Sequence, residues 1–112
     1  MAITSLGTAD IDRAARYLRK LGYTELDRRW QAPDGSGEAC IIAADRSVLV
    51  IGTISFGGPC LGRIVISDKR IRHLRRLAIA WADAHSARYE RVKVWVITID
   101  GIDGITEGQE VG

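Results

Sequence analysis

Cys40-Ile41-Ile42-Ala43-Ala44, followed after Asp45-Arg46-Ser47 by Val48-Leu49-Val50-Ile51, is the stretch whose reading decides the fold. Both runs are apolar on consecutive residues rather than alternate ones. A strand needs that pattern only when both of its faces are covered. Glu38–Ala44 and Ser47–Thr53 therefore read as the arms of a hairpin in a sheet with helices packed against it. The class this implies is α/β.

Upstream, Pro33-Asp34-Gly35-Ser36-Gly37 is turn chemistry throughout, and it separates the hairpin from a strand of mixed polarity, Tyr23 to Trp30, suited to a sheet edge. Before that strand, Ala14, Ala15, Leu18 and Leu21 form an apolar stripe at helical spacing. Thr8 can cap this first helix, Asp10 and Asp12 suit its positive first turn, and Gly22 can end it. Downstream, Phe56-Gly57-Gly58-Pro59 reads as a loop. Ser67 caps a second helix that runs to about His85. Ile71, Leu74, Leu77, Ala78, Trp81 and Ala82 fall on one side of it, with Arg72, His73, Arg75 and Arg76 on the other. Arg91–Ile99 is the third strongly apolar segment, as expected of a central strand. The order is αβββαβ around a mixed sheet flanked by helices, with an acidic tail, residues 100–112, that either adds a short edge strand or stays loose.

Composition sets the outer limits. The chain has 112 residues, 46% hydrophobic and 27% charged, which suits one globular domain spanning residues 1–112 and is too polar for a membrane protein. No apolar run approaches the ~20 residues needed to cross a bilayer, and Met1 to Gly7 lacks the basic and apolar regions of a signal peptide. Cys40 and Cys60 are too few for a disulfide framework or a four-thiolate zinc site, so the expected setting is the reducing cytoplasm. No cofactor is expected. Neither the GxxxxGK[ST] phosphate loop nor the GxGxxG dinucleotide loop is present.

The formal charge of +2 is unevenly spread. Arg13, Arg16, Arg19, Lys20, Arg28 and Arg29 crowd one segment, and Arg63, Lys69, Arg70, Arg72, Arg75 and Arg76 crowd another. The tail carries Asp100, Asp103, Glu107 and Glu110 with no base. Two basic clusters point to a polyanionic partner, or they are two solvated helix faces.

The succession Ala14-Ala15-Arg16-Tyr17-Leu18-Arg19-Lys20-Leu21-Gly22-Tyr23, Arg29-Trp30, Gly37-Glu38, Phe56-Gly57-Gly58-Pro59 and Asp68-Lys69-Arg70-Ile71-Arg72-His73-Leu74-Arg75-Arg76-Leu77 resembles the YraN-like family of bacterial proteins. The ending Ile105-Thr106-Glu107-Gly108-Gln109-Glu110-Val111-Gly112 continues the likeness, which covers nearly the whole chain in order. The resemblance implies a restriction-endonuclease-like core of the PD-(D/E)XK type. It also implies a metal-dependent nuclease site, in which carboxylates hold a divalent cation and a lysine orients the attacking water.

This sequence departs from that pattern at the positions that matter. Ile11 stands at the first-helix Glu, Cys40 at the Asp of the Gly-Glu-(Ile/Leu)-Asp motif, and Gly52 and Ile54 at the Glu and Lys of Glu-X-Lys. Only Glu38 survives, a residue the family pattern places at the periphery of the metal. One carboxylate beside a thiol and aliphatic groups is a poor Mg²⁺ site, so no metal is expected. Asp10, Asp12, Asp45 and Lys93 are the groups that could stand in, though none sits on the strand pair at the required spacing.

Other candidate chemistry is thinner. Cys40 with His73 or His85 could be a thiol–imidazole pair, but a cysteine in an apolar strand reads as a small buried hydrophobe. Cys60, in a glycine-rich loop, reads as an unpaired thiol, and His73 as part of the basic face. Trp81 and Trp95 read as core, while Trp30 either packs under the Gly-rich turn or stacks on a base. The leading expectation is a catalytically inactive nuclease-like domain that binds nucleic acid, DNA ahead of RNA. Phosphates would be contacted by Arg72, Arg75 and Arg76, helped by Lys69, Arg63, Arg28 and Arg29. The alternatives are a protein-interaction or homodimerisation module on the same scaffold, and a nuclease with relocated metal ligands.

Overall fold

A computed structural model describes residues 8–57, 66–100 and 106–111. Its elements are α1 (Thr8–Lys20), β1 (Thr24–Gln31), β2 (Glu38–Ala44), β3 (Val48–Gly57), α2 (Asp68–Ala84), β4 (Arg91–Asp100) and β5 (Thr106–Val111). The strands form one five-stranded sheet in the order β1-β2-β3-β4-β5. All neighbours are antiparallel except β3 and β4, which run parallel. α2 lies between those two strands in the chain, the crossover a parallel pair requires. The α/β class and the mixed sheet therefore hold.

The local signals act as their chemistry dictates. α1 ends in a Schellman motif: Gly22 adopts φ 99°, Tyr23 N–H donates to Leu18 O, and Gly22 N–H donates to Arg19 O, both at 3.0 Å. The Ser67 hydroxyl accepts from the Arg70 amide at 3.1 Å and caps α2. In the β2–β3 turn, Asp45 Oδ1 accepts from the amides of Ser47 at 2.9 Å and Val48 at 2.8 Å. Those two amides hold its carboxyl below the usual carboxylate range.

The consecutive apolar runs of the hairpin are explained by two cores, one on each side of the sheet. Ile11, Ala14, Ala15 and Leu18 of α1 pack on Ile41, Ala43, Val48, Val50 and Ile97. Leu74, Leu77, Ala78 and Trp81 of α2 pack on Ile42, Ala44, Leu49, Ile51 and Val94. Each large aliphatic side chain so buried contributes about 1.5–3 kcal/mol.

The main departure from the sequence reading is at the end of β3. β3 continues through Phe56 and Gly57, because β4 pairs with it over the full ten residues from Val48↔Arg91 to Gly57↔Asp100. Gly58 and Pro59 lie outside the described residues. The acidic tail supplies an edge strand, β5, paired with β4 from Ile99↔Thr106 to Val94↔Val111. On the opposite edge, the β1–β2 register shifts between Glu25 and Asp27, leaving Leu26 exposed.

Candidate nucleic-acid interface

α2 turns a line of cations away from the sheet. Its buried residues, Leu74, Leu77, Ala78 and Trp81, fix the face that docks. Lys69, Arg72 and Arg76 then fall on the exposed side at i, i+3 and i+7, a stripe about 10 Å long at 1.5 Å per residue. Arg70 is exposed as well. The ion pairs among the described residues join Arg28 to Asp12 and Glu25, and Lys93 to Glu110; Lys69, Arg72 and Arg76 enter none of them.

The other expected contact residues are placed differently. Arg75 is half-buried, and its Nη1 donates to the Val92 carbonyl of β4 at 2.7 Å. His73 is half-buried over the Pro33–Gly37 turn, where a Cβ on Gly37 would come within 2.8 Å of its Nε2. Both residues flank the buried stripe on the helical wheel, so the edge of the core draws them in. Arg28 is pinned between Glu25, at 2.6 Å, and Asp12, at 2.9 Å, and those two hydrogen bonds raise its pKa further. It ties α1 to β1. Arg29 is exposed on β1 with φ 53°, and Arg63 lies outside the described residues.

Three of the positions matched to the nuclease-type site, Ile11, Gly52 and Ile54, lie in hydrocarbon on the α1 side of the sheet. Ile11 is fully buried in the cluster that holds Leu18, Ile41, Val50 and Ile97, and Ile54 packs against that cluster. A Cβ added to Gly52 would lie 2.6 Å from Ile41 Cγ2 and 3.4 Å from Ile97 Cδ1. Cys40 is a half-buried free thiol whose pKa burial pushes up. Beside it Ala39 and Ile42 share the α2-side cluster, which breaks the strict alternation of β2. Glu38 is exposed opposite Gln31.

Three of the groups that could stand in are held elsewhere. Asp12 is taken by Arg28, Asp45 by the backbone of its own turn, and Lys93 lies 3.5 Å from Glu110. Among the described residues, no three His, Cys, Asp or Glu side chains come together as a metal-binding group. No described helix is long and apolar enough to cross a membrane.

Several features had no signature in the chain. Trp81 Nε1 donates to Asp27 Oδ2 across 54 residues of sequence. Trp95 packs on the α1-side core and tilts against Tyr17, with ring centroids 6.3 Å apart. Its Nε1, and the Thr98 hydroxyl, are buried without a hydrogen-bond partner among the described residues. Trp30 packs against the α2-side core. Leu49, Ile79, Ala82, Asp83, Ala87, Arg88, Tyr89 and Val92 line an open cavity of about 250 Å³ at the far end of α2. Nothing local marks these partners, because they meet only after α1 and α2 dock on the sheet.

No family model matches the chain. The chain is similar to a UPF0102 protein of Beutenbergia cavernae, 34% identical over 92 residues covering 77% of this chain and 74% of the relative. A UPF0102 protein of Acidothermus cellulolyticus is 32% identical over 108 residues, covering 91% and 74%. One of Renibacterium salmoninarum is 29% identical over 100 residues, covering 84% and 80%.

Proposed function

The chain belongs to the UPF0102 family, the YraN-like family of bacterial proteins, and from that premise we propose that it is a catalytically silent, restriction-endonuclease-like domain that binds nucleic acid through α2. The observation that carries this reading is the outward stripe Lys69, Arg72 and Arg76, which the described carboxylates leave free of ion pairs. Such a stripe contacts phosphates and releases counterions, whatever the base sequence. DNA is the preferred partner, since a rigid row of cations suits a regular duplex backbone. Arg75 and Arg28 serve the scaffold instead. Catalytic silence is supported by the aliphatic packing around Ile11, Gly52 and Ile54, where a carboxylate would be buried without a partner.

Binding to labelled duplex and single-stranded DNA and RNA over a salt series, with Mn²⁺ present and absent and products resolved on a gel, tests the proposal. Salt-sensitive binding with intact substrate is the expected result. Cleavage in Mn²⁺ would instead establish a nuclease with relocated ligands. The cavity beside exposed Ile79 favours a second reading, a protein-interaction module. Absence of nucleic-acid binding at low salt would shift the assignment to that module, and light scattering without added ligand would then show whether the chain associates with itself.

A further inference from the structure

A second cationic stripe exists, and the sheet separates it from the first. On α1, Ile11, Ala14, Ala15 and Leu18 face the sheet, while Arg13, Arg16, Arg19 and Lys20 are exposed. Arg13, Arg16 and Lys20 repeat the i, i+3, i+7 spacing of Lys69, Arg72 and Arg76, and they too enter none of the ion pairs among the described residues. The nearby carboxylate Asp12 is occupied by Arg28.

The two helices cover opposite faces of one sheet. On β2, Ile41 and Ala43 belong to the α1 core while Ile42 and Ala44 belong to the α2 core. On β3, Val48 and Val50 likewise oppose Leu49 and Ile51. The outer ridges of α1 and α2 therefore point in opposite directions. DNA stays stiff over ~150 bp, so a short duplex lying on α2 cannot bend around the sheet to reach α1.

Resting on the nucleic-acid reading above, we propose that one chain holds two separate duplex segments, one on each helix, and so bridges them. Both helices engage phosphates. The bridge is therefore indifferent to base sequence and is lost as salt rises.

The test mixes the full chain with donor- and acceptor-labelled 20-bp duplexes at low salt and reads energy transfer between them, with complex mass from analytical ultracentrifugation. Two duplexes per chain, with transfer, are expected. The variants R13E/R16E/K20E and K69E/R72E/R76E should each keep one duplex per chain and lose the transfer, while their circular dichroism and thermal transitions show that they still fold. One duplex per chain without transfer in the unaltered protein would overturn the bridge and leave single-face binding standing. Transfer that survives in R13E/R16E/K20E would overturn it too, since dimerisation would then be the link. No binding to either face would overturn both this inference and the nucleic-acid reading.

Discussion

Trp81 Nε1 on α2 lies 2.9 Å from Asp27 Oδ2 on β1, so a buried indole of the second helix ties down an edge strand of the sheet. Asp27 is used twice, since its Oδ1 accepts the Arg28 amide at 2.9 Å. Trp81 also stacks on His85 with ring centroids 4.2 Å apart, and the His85 ring is held at 2.8 Å from Trp81 O. The C-terminal half of α2, the end away from the cationic stripe, is thereby fixed against the sheet.

Trp81→Phe keeps an aromatic ring but removes the donor. Losing a hydrogen bond to a carboxylate costs about 1.5–3 kcal/mol, with a further packing loss for the smaller ring. Urea unfolding should show that decrease at an unchanged m-value. DNA affinity of the folded variant should stay near that of the unaltered protein, because Trp81 lies on the docked face.

Gly52 is hemmed in by the side chains around it. Gly52→Ala drives a Cβ to 2.6 Å from Ile41 Cγ2 unless the strands shift, and overpacking of this kind costs about 1–3 kcal/mol. Ile41→Ala removes the clashing Cγ2 itself, at the cost of a cavity of its own. The double variant G52A/I41A should therefore be more stable than the sum of the two single effects, a coupling that thermal unfolding can measure.

Neighbouring arginines on α2 should separate by what they do. Arg72→Ala and Arg76→Ala should weaken DNA binding and lower the salt slope by about 0.9 for each phosphate no longer neutralised. Their unfolding midpoints should barely move. Arg75→Ala should lose about 1–3 kcal/mol of stability through the Val92 carbonyl it serves, and should change the salt slope little. Parallel salt titrations and urea curves of the three variants check this.

The Asp45 carboxylate is stabilised in its charged form by the amides of Ser47 and Val48, so its folded pKa is depressed. A depressed acid contributes stability above its unfolded value, near 3.9, and loses it as pH falls through the folded value. The stability gap between the unaltered protein and Asp45→Ala should thus be full at pH 7. It should narrow progressively below about pH 4. Urea midpoints of both proteins across that range report it.

Much of the fold was legible because short-range chemistry specifies it. Consecutive apolar residues at Cys40–Ala44 and Val48–Ile51 announce a sheet covered twice, and Gly22 and Ser67 mark where helices stop and start. The site was legible only as a set of charges. Lys69, Arg72 and Arg76 followed from the helical period, whereas Arg75 and Arg28 looked equally available in the sequence and are held by Val92, Asp12 and Glu25. Charge is a property of a residue; availability is a property of its neighbours.

The sequence by itself determined the class, the helix boundaries, the hairpin and the departure from the resembled metal-binding pattern at Ile11, Cys40, Gly52 and Ile54. Each of these depends on residue identity or on periodicity within one element. Only the tertiary structure decided that Phe56 and Gly57 extend β3, that the tail pairs as β5, that Ile41 fills the space beside Gly52, and that the two basic helices lie back to back across the sheet. Those outcomes rest on which faces meet, and two faces of different elements are brought together by burial of apolar surface, a force without direction that local sequence cannot register.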